Sequence, residues 1–157
     1  MPKLIILIGP SGSGKSTWAH EAHIKDPNNV VIVNRDKIRE LLFGYLEDNI
    51  KEYYLRHDFP AREKEVTIYE NILIHSSLNL NKTVIVDATH LKLKYLKRYD
   101  VLKDKGIDVE YKYFDADMGT LLERQTLRIR KVGKEILERQ LDMYHKLQNN
   151  PHAIKYK

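Results

Sequence analysis

At 157 residues, with 31% charged and 42% hydrophobic side chains, the chain has the balance of an ordinary globular domain, with length for one core but not two. It contains no cysteine, which excludes disulfides, thiolate metal sites and thiol catalysis, and fits a reducing, cytoplasmic setting. No apolar run approaches the ~20 residues of a bilayer span, so no membrane partner is expected, and the net charge of +5 leans weakly towards polyanions.

The first element expected is a strand over Lys3–Ile8; its apolar part is too short for a signal peptide. It runs into Gly9-Pro10-Ser11-Gly12-Ser13-Gly14-Lys15-Ser16, which fits the phosphate-cradle pattern G-x-x-x-x-G-K-[ST] at every required position. A helix over Lys15–Lys25 follows. Glycines let successive N–H groups turn towards a polyphosphate, and the helix start adds partial positive charge. Lys15 then reaches the outer phosphates and the Ser16 hydroxyl suits Mg²⁺. The bland alternative is a glycine-rich turn with an exposed Lys and Ser; the strand before and helix after favour nucleoside triphosphate binding.

A second strand over Asn29–Asn34 leads into Asn34-Arg35-Asp36-Lys37-Ile38-Arg39 and a helix over Asp36–Leu46. Asp36 stands where it could cap that helix. Three residues apart near a first turn, Asp36 and Arg39 also share a face, placing a carboxylate able to accept a hydroxyl proton beside a guanidinium able to grip a phosphate. The residues alone leave both readings open. Glu47–Pro60 reads as irregular, with Tyr53-Tyr54 flanking an acceptor site. Ala61–Leu78 reads as a helix carrying Val66, Tyr69, Ile72, Leu73 and Ser76 at helical spacing; Tyr69 and Tyr144 are expected in the core.

The third strand, Thr83–Asp87, ends in an acid, which either faces the loop serine across Mg²⁺ or caps the following helix. That helix is expected over Leu91–Lys105, closed by Gly106. After a fourth strand over Val109–Phe114, Asp115-Ala116-Asp117 superficially matches a D-x-D phosphatase nucleophile, but the spacing fails and helix capping is the expected role. Helices over Gly119–Arg130 and Lys134–Leu147 complete the chain, the latter with Leu137, Leu141 and Tyr144 in register. Arg124, Arg128, Arg130, Lys131 and Lys134 make the first of these basic: a solvated face, or a lid whose Arg124 and Arg128 share one side.

Alternating strands and helices imply an α/β fold of the P-loop NTPase or kinase kind, a parallel sheet of about four strands flanked by helices, with a helical lid. The expected organisation is one P-loop kinase domain over residues 1–157, its lid near 119–134. Ligands in such sheets sit beyond the carboxyl ends of the strands.

Together these stretches resemble the bacteriophage-type polynucleotide 5′-hydroxyl kinases: Gly-Ser-Gly-Lys-Ser-Thr-Trp-Ala over 12–19, Asn34-Arg35-Asp36 with Arg39, Asp87, Arg124 with Arg128, and Met143-Tyr144. The resemblance implies transfer of the γ-phosphate of ATP to a 5′-hydroxyl end of DNA or RNA, in nucleic-acid end repair, with Mg²⁺ as cofactor. It implies a donor site from Gly12, Ser13, Gly14, Lys15, Ser16, Thr17 and Arg124, and catalytic roles for Lys15, Asp36 and Arg128. Acceptor contacts would come from Asp36, Arg39, Asp87 and Thr89, and Mg²⁺ would meet Ser16 and, through water, Asp87. A cytoplasmic, phage-encoded protein acting in its host is the setting implied. Phage members carry a C-terminal phosphatase domain for which these residues leave no room, and His90 stands where related kinases often have Asn. The alternative is a P-loop kinase of a sugar, nucleoside or antibiotic.

Overall fold

The computed structural model describes residues 1–44, 50–128 and 131–157. Strands β1 (Lys3–Ile8), β2 (Val30–Asn34), β3 (Thr83–Asp87) and β4 (Asp108–Tyr113) form one parallel sheet in the order β2-β3-β1-β4. β1 and β3 are the inner strands, which is why they read as unbroken apolar runs: both of their faces are covered. Leu4, Ile6 and Ile8 join Val33, Val84 and Val86 in the larger core, while Ile5, Leu7 and Ile85 face Ala19 in a smaller one.

Helix α1 (Lys15–Lys25) covers the smaller core through Ala19, with Trp18 and Ala22 beside it. Helix α2 (Arg35–Phe43) follows β2, a short α3 (Ile50–Leu55) comes next, and α4 (Phe59–Asn79) crosses back to β3. Two five-residue helices, α5 (Leu93–Lys97) and α6 (Asp100–Asp104), lead to β4. Beyond it lie α7 (Met118–Thr126), α8 (Lys134–Asn149) and a 3₁₀ turn over Pro151–Tyr156. Val66, Ile74, Leu96, Leu102, Tyr144 and Tyr156 from these elements fill the larger core. Among the described residues no helix is long and apolar enough to cross a membrane.

Several expectations need correction. The inward face of α4 is Val66, Glu70, Ile74, Ser77 and Leu78, whereas Tyr69, Ile72 and Leu73 are 43%, 56% and 37% exposed. The helix carries two stripes of suitable spacing. The inward one carries Val66, Ile74 and Leu78 into the larger core, and its buried Glu70 carboxylate is satisfied by Arg35 and Arg98, 2.6 and 3.1 Å away. The expected single helix over Leu91–Lys105 breaks between α5 and α6, where Tyr99 turns inward and is 2% exposed. The expected irregular segment 47–60 contains α3 and the start of α4; its residues 47–49 lie outside the described ones. Helix α2 ends at Phe43 with Gly44 at positive φ (84°), short of the expected Leu46, which also lies outside them.

Candidate active site

Gly12 and Gly14 bend the loop between β1 and α1 through the left-handed region, at φ 82° and 100°. A Cβ at Gly12 would stand 3.0 Å from Gln125 Nε2 on α7. Lys15 folds along the loop and donates from Nζ to the carbonyl oxygens of Gly9 (2.8 Å) and Pro10 (2.7 Å). From α8, Gln140 Oε1 accepts the Ser11 amide at 2.8 Å, tying the loop to that helix.

At the carboxyl edge of the sheet, parallel register places Asn34 opposite Asp87, so the two side chains project to the same face. Asp87 Oδ2 accepts from Ser16 Oγ at 2.7 Å and from Asn34 Nδ2 at 3.1 Å. A hydroxyl and a carboxylate side by side are hard oxygen donors, the set that suits Mg²⁺, an ion usually held by one or two protein oxygens together with substrate phosphates. Ser16 and Asp87 therefore fit that ion.

Asn34, rather than Asp36, caps α2: its Oδ1 accepts from the amides of Asp36 (2.9 Å) and Lys37 (3.1 Å). The Asp36 carboxylate pairs instead with Arg39, Nη1 to Oδ1 at 2.7 Å. Glu63 on α4 grips the other edge of that guanidinium, accepting from Nε at 2.8 Å and Nη2 at 2.9 Å. It also accepts from Arg35 Nη2 (2.9 Å) and the Tyr53 hydroxyl (2.8 Å). Burial pushes the Glu63 carboxyl up, but these hydrogen bonds outweigh it and hold it down at about 2. The fork of Arg39 is thus oriented before any acceptor arrives.

His90 is buried at φ 49° beside the same cleft. Its Nδ1 lies 2.7 Å from the Leu7 carbonyl oxygen, which only accepts, so Nδ1 carries the proton. Nε2 then accepts from the Tyr99 hydroxyl at 3.2 Å. Burial lowers the imidazole to about 4, so the ring is neutral at pH 7.

On α7, Arg124 Nη1 donates to the Gly12 carbonyl at 2.8 Å. Arg128 lies past the end of α7, so the two arginines do not share a helical face as expected; a turn beyond Leu127 carries Arg128 back to the cleft. Residues 129 and 130, within the expected lid helix, lie outside the described ones. Among the described residues, the buried Arg128 Nη1 has no hydrogen-bond partner. Burial lowers the Lys15 ammonium to about 8; Asp87 opposes that and Arg128 adds to it. Two neighbouring cations, one with an orphaned donor, fit a polyanion such as a triphosphate.

Gly12, Gly14, Lys15, Ser16, Thr17, Asp36, Arg39, Asp87, Thr89, Arg124 and Arg128 all line one cleft of about 1040 Å³. Ser13 lies beneath the loop, 6% exposed, with its hydroxyl 3.4 Å from Lys15 Nζ. Tyr54, expected to flank an acceptor site, lines it too, as do Asn34, Arg35, Glu63, Glu70 and Gln140, to which the sequence had assigned no individual site roles. Asn34 carried a usable signal, an Asx residue directly before a helix; Glu63, Glu70 and Gln140 are ordinary helix residues whose partners lie far along the chain. Of the acids after β4, Asp117 caps α7 through the Thr120 amide at 2.8 Å, as expected, and Asp115 accepts from the Tyr144 hydroxyl.

A family model described as an AAA domain matches residues 4–148. A chain of a solved Pnkp1/Rnl/Hen1 RNA repair complex is 28% identical, covering 92% of this chain with a TM-score of 0.73. A chain from another Pnkp1/Rnl/Hen1 complex is 32% identical over 78% of this chain, TM-score 0.62. This chain spans 44% and 38% of those two chains, less than half of either. A gluconokinase from Sinorhizobium meliloti 1021, 19% identical and covered over 96% of this chain and 79% of its own, shares the fold at a TM-score of 0.56.

Proposed function

We propose that this chain, which belongs to the AAA domain family and is a P-loop kinase-type enzyme, transfers the γ-phosphate of ATP to the 5′-hydroxyl end of DNA or RNA. The observation that carries this reading is the Asp36–Arg39 pair, which stands in the same cleft as Lys15 and Arg128. Asp36 takes the proton of the 5′-hydroxyl, whose oxygen attacks the γ-phosphorus in line. One P–O bond forms, the bond to the β-phosphate oxygen breaks, and ADP leaves. The N–H groups of Arg39 that Asp36 and Glu63 do not use receive the phosphate on the 3′ side of the terminal nucleoside.

Lys15, Arg124 and Arg128 line the donor side and neutralise the triphosphate, with the orphaned Arg128 Nη1 meeting a phosphate oxygen. Ser16 and Asp87 would hold Mg²⁺, which would supply neutralisation of the triphosphate's charge. Similarity to chains of RNA repair complexes supports a nucleic-acid acceptor.

The test is incubation with γ-labelled ATP and a panel of 5′-hydroxyl oligonucleotides, nucleoside 3′-phosphates, bare nucleosides and sugars. Labelling of oligonucleotides and nucleoside 3′-phosphates well above bare nucleosides is expected. Equal or better labelling of a nucleoside or sugar would replace this reading with that of a small-molecule kinase.

A further inference from the structure

Behind the cleft wall that holds Arg39 lies an aromatic cluster, which reaches the cleft through Tyr54. Phe43 at the end of α2, Tyr53 and Tyr54 on α3, and Phe59 at the start of α4 meet with ring centroids 5.3 to 5.9 Å apart. Tyr53 is the buried member, 2% exposed, with its hydroxyl fixed on Glu63. Tyr54 is different. Edge contacts to Tyr53 (78°) and Phe59 (62°) brace its ring, yet the residue is 44% exposed and lines the cleft. A tyrosine serving only to close this cluster would bury its ring, as Tyr53 does.

The same carboxylate, Glu63, anchors both Tyr53 and Arg39, so the aromatic cluster and the guanidinium are held in a fixed relation. Tyr54 and Arg39 line the same cleft. A phosphate held at Arg39 is covalently joined to nucleosides on both sides, which puts a base within reach of whatever surface adjoins the guanidinium. What adjoins it is a braced, half-exposed ring.

We propose that Tyr54 is a stacking platform for a nucleobase of the acceptor strand, next to the phosphate that Arg39 holds. This rests on the polynucleotide reading above and specifies how the acceptor is gripped. Stacking uses the face that every base has, so the subsite tolerates sequence while rejecting an acceptor without a base. Braced rings cost little entropy to present, which favours their use as a contact surface.

The experiment compares the native chain with Tyr54→Ala and Tyr54→Phe on 5′-hydroxyl oligonucleotides, either complete or abasic at their first two nucleotides. For complete strands, Tyr54→Ala is expected to lower kcat/KM roughly tenfold, chiefly through KM, with Tyr54→Phe close to the native value. The abasic strand should be a poor acceptor for the native chain and no worse for Tyr54→Ala, and the KM for ATP should hold in both variants. In a parallel measurement, 2-aminopurine in the terminal nucleotides should lose fluorescence on binding the native chain and Tyr54→Phe, but not Tyr54→Ala. Equal losses on complete and abasic strands, or a change confined to the KM for ATP, would overturn the platform. If the native chain labels no 5′-hydroxyl strand at all, the polynucleotide reading fails and takes the platform with it; labelling that ignores Tyr54 sinks the platform alone.

Discussion

Asn34 donates its side-chain amide to Asp87 across 3.1 Å, joining the carboxyl ends of β2 and β3 at their last register pair. The other end of the same amide caps α2 through the N–H groups of Asp36 and Lys37. One side chain therefore sets the first turn that carries Asp36 relative to the acid facing Ser16. A residue of no intrinsic reactivity links the two halves of the proposed chemistry.

Substitution separates the two duties of Asn34. Asn34→Ser keeps a capping oxygen but cannot reach Asp87 with an amide, whereas Asn34→Asp keeps the cap and sets a second carboxylate against Asp87. The serine variant should stay within about 1 kcal/mol of the native stability, whereas the aspartate variant should lose more, since its carboxylate repels Asp87. Transfer should fall moderately in the serine variant and much further in the aspartate variant. Thermal unfolding and kcat/KM measured side by side check this, and indistinguishable kinetics would leave Asn34 as a cap alone.

Asp36→Asn removes the proton acceptor while preserving shape. Affinity for ATP should change little, and transfer to a 5′-hydroxyl oligonucleotide should fall by roughly 10²- to 10⁴-fold. Equilibrium binding of ATP and single-turnover labelling read the two quantities separately. Normal turnover in this variant would remove Asp36 from the base role.

Arg39→Ala should hurt acceptors with a 3′-side phosphate far more than bare nucleosides. Glu63→Gln should do the same more gently, because the glutamine can still accept one hydrogen bond from the fork but no longer holds it by charge. Joined in one chain, the two changes should cost little more than Arg39→Ala alone, as expected of groups acting as a unit. Full additivity in KM for the acceptor would show that Glu63 acts elsewhere.

The buried His90 makes a pH signature. Its folded value, about 4, lies below the ordinary 6.5, so the unfolded chain binds the proton more readily. The stabilisation is complete above pH 6.5 and is lost progressively as pH falls to about 4, about 3 kcal/mol in all. His90→Asn should be less stable at pH 7, since asparagine can serve the Leu7 carbonyl but not also Tyr99, though it tolerates the left-handed backbone at φ 49°. Its stability should then fall less between pH 7 and 4.5 than that of the native chain. Urea midpoints at the two pH values provide the comparison.

Local pattern alone specified much of this protein. The spans of β1, α1 and β3 were legible to the residue, because unbroken apolar runs mark buried parallel strands and the glycine-rich loop leaves one way to begin a helix. The glycine-rich loop pattern was legible for the same reason: it is contained in eight consecutive positions, Gly9 to Ser16. Tertiary structure decided the rest. Two stripes on α4 had helical spacing, and the inward one is the one whose Val66, Ile74 and Leu78 meet the sheet's core and whose Glu70 finds arginines at positions 35 and 98. Asp36 read equally well as a cap or as a cleft carboxylate until Asn34 was found in the capping position. Glu63 gave no local sign of a site role, since what recruits it is a guanidinium brought from another helix, and proximity across a fold is a property of packing that no short window of sequence contains.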